Sequence, residues 1–126
     1  LFFACISFVA RLYVGYKVAP VVFGFESKDE FLSRNLNFEY GDFYDTDQKL
    51  SRIIGDSDMV LIYGVHNLYY VNFPFTHESW IKKGDLFNYI LTQGTELPND
   101  FYFFKLIYEN KKTHVRLYSG EGFWKY

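Results

Sequence analysis

The chain has 126 residues, 49% of them apolar and 23% aromatic, and a formal net charge of −2. That length carries one domain with a real core rather than two, and the apolar content excludes intrinsic disorder. All fifteen acids fall at Glu26 or later while only Arg11 and Lys17 precede it, so the body is acidic and argues against nucleic acid as a partner.

Twelve tyrosines and fifteen phenylalanines suit two settings: a core of large flat side chains, or a surface at membrane-headgroup depth. A chain that begins on Leu1 rather than methionine reads as a fragment or a processed product. The opening run, Leu1 to Ala10, is uncharged and almost wholly apolar. Arg11 interrupts it, and apolar residues continue around Lys17. A signal peptide would place its bases before the run, and here they follow it. A buried core helix would leave Arg11 and Lys17 in need of partners. The preferred reading is the end of a transmembrane helix. Arg11 and Lys17 then snorkel outward, and Tyr13 and Tyr16 sit at the interface. Pro20 is expected to end that helix. Cys5, the one cysteine, has no partner for a disulfide or a metal site and reads as a small apolar residue.

Ser27 followed by Glu30 has the form of a capping box, predicting a helix from about Ser27 to Asn35. Glu39, Asp42, Asp45 and Asp47 lack the spacing of a calcium loop. They read as a solvated acidic face in which Asp45 or Thr46 caps a second helix ending at Gly55. Met59 to Tyr63 is an unbroken apolar run between Asp58 and Gly64. It predicts a strand buried on both faces with helices on either side. Gly64-Val65-His66-Asn67 reads as a loop at the carboxyl end of that strand, and Leu68 to Phe73 as a second strand. Residues 74–84 read as a loop with one helical turn. Leu86, Phe87, Ile90 and Leu91 predict a helix face starting after Asp85 and closing at Gly94. Phe101 to Tyr108 and His114 to Tyr118 predict a β-hairpin, and the glycines of SGEGFWKY a loose tail.

Helix, helix, strand, strand, helix and hairpin make an α/β fold: a small mixed sheet with flanking helices, preceded by the end of a transmembrane helix. The expected division is a membrane-helix remnant at 1–19, a soluble domain at 20–119 and a tail at 120–126.

His77-Glu78-Ser79-Trp80-Ile81 begins like a zinc-protease signature but has Ile81 where a second histidine is needed. No metal site and no cofactor are expected. Neither a dinucleotide fingerprint nor a Walker sequence occurs, and no Ser–His–Asp set can be picked out. Open α/β sheets bind ligands at strand carboxyl ends, which makes Gly64, His66, Asn67, Tyr69 and Tyr70 the candidate contacts. A structural turn is the alternative reading there.

Gly24-Phe25-Glu26-Ser27-Lys28-Asp29-Glu30-Phe31-Leu32-Ser33-Arg34 directly follows the apolar helix-like segment. It resembles a stretch of bacterial membrane glycosyltransferases of the protein-mannosyltransferase and aminoarabinose-transferase type. There G-x-E-S, a base, an acidic pair, an aromatic, Leu and Arg follow the last membrane helix. Val60-Leu61-Ile62-Tyr63-Gly64 and Leu68-Tyr69-Tyr70 are similar to the domain that follows, so that the resemblance runs from Val18 to Phe73. It implies a parent that moves a sugar from a polyprenyl-phosphate carrier to an acceptor outside the membrane. The soluble domain is then extracytoplasmic, contacts the membrane through its helix, and touches sugar or acceptor. It also implies that the family's catalytic acid lies in an early loop, so no catalytic residue falls in this chain. Arg11 and Lys17, by contrast, favour a cytoplasmic exit. Two other classes are carried alongside: a stand-alone anchored or secreted binding module, and a small enzyme using His66 or His77 as acid or base.

Overall fold

A computed structural model describes residues 2–36 and 43–126. The expectation for Glu39 and Asp42 lies outside the described residues. Strand β1 (Val60–Tyr63) forms where the apolar run lies, and Val60, Leu61 and Ile62 are fully buried. It pairs in parallel with β2 (Phe75–His77) on one side and β3 (Leu86–Gln93) on the other. Strand β5 (Val115–Lys125) runs antiparallel to β3, and β4 (Lys105–Asn110) antiparallel to β5. The mixed sheet therefore has the order β2-β1-β3-β5-β4, with helices against it: a small α/β fold.

Two cores form because β1 and its neighbours point apolar side chains both ways. Val60, Ile62, Leu91, Val115 and Leu117 pack on one face against Leu32 of helix α2 (Lys28–Asn35) and Leu50 of helix α3 (Leu50–Ile53), with Phe43, Tyr44 and Phe73 between. Leu61, Ile90 and Tyr118 pack on the other against Phe87, Phe101 and Phe104. Among the described residues that second face carries no long helix. Its cover is the 96–104 loop, whose only regular piece is a 3-10 turn at Asn99–Phe101. Rings from Phe87, Phe101 and Phe104 meet in stacked and edge-on pairs at 5.7 to 6.0 Å.

Helix α1 (Phe2–Val22) stands apart: none of its 21 residues is buried. Pro20 lies inside it rather than at its end, a correction to the sequence reading. Proline's missing amide costs one bond, and the helix goes only two residues further before Gly24 turns the chain at φ 74°. The Pro20 carbonyl accepts from both Phe25 N and Glu26 N, at 2.8 and 3.1 Å.

Three further expectations are corrected. The helix expected after Asp85 is β3. A bulge between Phe87 and Tyr89 places the amides of both Asn88 and Tyr89 on the Met59 carbonyl. The inserted residue leaves Phe87 and Ile90, three apart, on one face, which imitates helical spacing. The strand expected from Leu68 to Phe73 is instead a 3-10 turn at Leu68–Tyr70 leading into β2, apolar because it crosses the first core. The tail expected to be loose continues β5, with Trp124 opposite Phe87 and Lys125 opposite Leu86. Gly120 there is a packing residue, since a β-carbon would lie 2.8 Å from the Phe104 ring.

Candidate functional site

The connection leaving β1 crosses the first face through Leu68, Tyr70 and Val71, whereas the one leaving β2 crosses the second through Ile81. The carboxyl ends of adjacent parallel strands whose loops depart to opposite faces are the usual ligand position in open α/β sheets. Gly64 stands just past the carboxyl end of β1, with φ 70° and its amide donating to Glu78 Oε1 at 3.1 Å. Glu78 N in turn donates to the Ile62 carbonyl at 3.0 Å. The chain's own carboxylate thus occupies the place where a backbone amide would otherwise receive a ligand's anion. His77 Nε2 lies 4.0 Å from the same Glu78 oxygen, its Nδ1 accepts from Ser79 N at 3.2 Å, and its ring packs on Trp80.

The other sequence-derived candidates spread out from this point. Val65 is buried, His66 exposed and Asn67 half-buried. Tyr69 is 88% exposed, and its ring meets that of Tyr70 edge-on at 5.3 Å. Tyr70 is half-buried against Phe43, with the Lys28 ammonium 5.6 Å from its ring centre. The structure therefore sets Gly64 at the end of β1 and the tyrosine pair on the crossover, beside α2. Asp45, one of the clustered acids, is buried and spends both carboxylate oxygens on the amides of Leu50 and Ser51 at the start of α3. Asp47 accepts from the Tyr108 hydroxyl at 2.8 Å. Among the described residues no three His, Cys, Asp or Glu side chains come together as a metal-binding set.

A second concavity, of about 520 Å³, lies where α1 meets α2. Tyr16, Lys17, Ala19 and Pro20 form one wall, Phe23 and Phe25 the base of the turn, and Arg34 and Asn35 the other wall. The turn that leads into α2 is built from specific contacts. Ser27 caps α2 by accepting from Glu30 N, while the Glu30 carboxylate accepts from Ser27 N at 2.9 Å. Arg34 Nη2 meets Glu26 Oε2 at 2.8 Å across the turn. These backbone and hydroxyl donors hold the Glu30 carboxyl below its usual range. Sequence reasoning found Lys17 and Arg34 singly but not the groove they share, because the αL turn at Gly24 brings them together.

Comparison with protein-family models, with curated proteins and with solved structures finds no match. Helix α1 is long and apolar enough to cross a membrane: its 21 residues span about 31 Å at 1.5 Å each, against a hydrocarbon core of about 30 Å.

Proposed function

We propose that the chain is the C-terminal soluble domain of a membrane-integral glycosyltransferase, held at the bilayer by the end of the parent's last membrane helix. The parent moves a sugar from a polyprenyl-phosphate carrier to an extracytoplasmic acceptor. The domain packs over the membrane part or binds the acceptor, and supplies no catalytic residue. The observation that carries the membrane half of this reading is α1, apolar apart from Arg11 and Lys17 and without one buried residue. Water around such a helix is unfavourable by about 25 cal/mol per Å² of apolar surface, and lipid removes that cost. The glycosyltransferase half rests on the Gly24–Arg34 resemblance. Those residues also have a mechanical task, since Gly24, Glu26, Ser27, Glu30 and Arg34 build the joint between α1 and α2.

Sequencing upstream of Leu1 and assaying the encoded protein test this reading. Several further apolar spans of about 20 residues, and transfer from a polyprenyl-phosphate sugar in membranes bearing the protein, are the expected result. A start codon shortly upstream of Leu1 overturns it in favour of a stand-alone anchored binding module. The exposed side chains of Tyr102, Leu106, Ile107 and Phe123 favour that second reading.

A further inference from the structure

The groove between α1 and α2 combines three properties rarely found together on a solvated surface. Its walls are aromatic, from Tyr16, Phe23 and Phe25, and continuous with the apolar surface of α1. Its volume, about 520 Å³, lies within the roughly 300–1,000 Å³ of small-ligand sites. Its charged lining is basic, with Lys17 on one wall and Arg34 on the other. The Glu26 carboxylate offsets one of these charges, leaving the groove at +1. Arg34 presents a planar fork of five donors, so that the single contact to Glu26 leaves the guanidinium able to take a second oxygen ligand. Lys17 sits over the Tyr13 ring, 5.0 Å from its centre, at the level where a span's bases reach toward headgroups.

We propose that this groove binds the phosphate headgroup of an anionic phospholipid, one acyl chain lying along α1. Lys17 and Arg34 meet the phosphate from opposite walls, and Tyr16, Phe23 and Phe25 cover the glycerol and upper methylenes. A lipid fits better than a free anion because the walls are aromatic and open onto the lipid-facing helix. An anionic headgroup fits better than a choline one because a second cation would face two bases. The bound lipid fixes the tilt of the soluble domain against the bilayer, since the groove spans the joint between them. The inference rests on α1 lying in lipid, though not on the parent being a glycosyltransferase.

The test is native mass spectrometry of the full chain released from vesicles of equal phosphatidylglycerol and phosphatidylcholine. One phosphatidylglycerol per chain is expected to be retained in preference to phosphatidylcholine. Lys17→Gln and Arg34→Gln should each weaken that preference by about fivefold, the contribution of one base near an anionic surface. Glu26→Gln should strengthen it by freeing Arg34, whereas loss of a purely structural ion pair would not. Lys83→Gln, in the β2–β3 loop and outside the groove, should leave it unchanged. Lys17 lies on the exposed helix, so its variant keeps the test valid if Arg34→Gln disturbs folding. Equal retention of both lipids overturns the proposal. So does an effect of Lys83→Gln equal to that of Lys17→Gln, and so does displacement of the lipid by millimolar inorganic phosphate. Failure of α1 to enter vesicles at all would instead sink the membrane reading beneath it.

Discussion

Gly64 passes so close to Gln93 that a β-carbon on Gly64 would lie 2.4 Å from the Gln93 carbonyl oxygen. The two residues end adjacent parallel strands, and Gly64 also has φ 70°, where L side chains are strained. A backbone oxygen cannot swing aside as a flexible side chain would. Gly64→Ala should therefore destabilise the sheet domain by about 2 kcal/mol or more, αL strain alone accounting for about 1–2 kcal/mol. Thermal unfolding in detergent measures this directly. An unchanged midpoint would mean that the strand ends are not held together in this way.

The α2 capping box makes a prediction with a pH signature. Ser27→Ala should cost about 1 kcal/mol, the usual value of such a cap. Glu30 contributes through a folded-state pKa held below its ordinary value by the Ser27 amide and hydroxyl. Its contribution is thus present above the ordinary glutamate range, near about pH 4.3, and lost as pH falls through the lowered value. The difference in unfolding midpoint between the parent chain and Glu30→Ala should be constant near neutrality and shrink below that range.

Three tyrosines carry the opposite sign. Burial pushes Tyr63 up to about 12 and raises Tyr44 and Tyr108 as well, the Asp47 carboxylate adding to the effect at Tyr108. A raised folded-state value stabilises fully below the unfolded value of about 10 and is lost as pH rises through the folded one. Absorbance titration of the phenolates should therefore show these three ionising above the ordinary tyrosine range. A late fraction should appear together with unfolding. Tyr108→Phe should remove one phenol from that late fraction.

Thr92 is 0% exposed, and its hydroxyl has no hydrogen-bond partner among the described residues. An unmade bond of this kind costs about 1–3 kcal/mol, while valine has nearly the same shape. Thr92→Val should raise stability by about 1 kcal/mol. A loss of that size would show the hydroxyl to be satisfied in solution.

What the residues made legible in advance was whatever depends on local chemistry. The capping box at Ser27 and Glu30, a strand within the apolar run from Met59 to Tyr63 and the unburied apolar opening all stand where the sequence puts them. Beyond Pro20, the errors share one cause, since each comes from a contact distant in sequence. Leu86, Phe87, Ile90 and Leu91 imitate a helix only because Asn88 bulges against Met59. Leu68 to Phe73 is apolar because it crosses a core, not because it pairs. Gly120 and Gly122 lie within a strand that closes on Phe104 and Leu86 rather than in a loose end. For the candidate site, Gly64 was legible from its place after an apolar strand. Glu78 was not, because its partnership with Gly64 depends on β2 lying beside β1.

The position of Cys5 tests the membrane reading most directly. It lies twelve residues before Lys17 on an exposed face of α1, about 18 Å along the helix from the interface and thus inside the hydrocarbon of a bilayer. A water-soluble maleimide stays out of hydrocarbon, so a thiol held there is beyond its reach. In sealed vesicles Cys5 should resist a water-soluble maleimide and react with it once detergent denatures the chain. Full labelling in intact vesicles would place α1 in water, and the membrane-held domain would have to be given up.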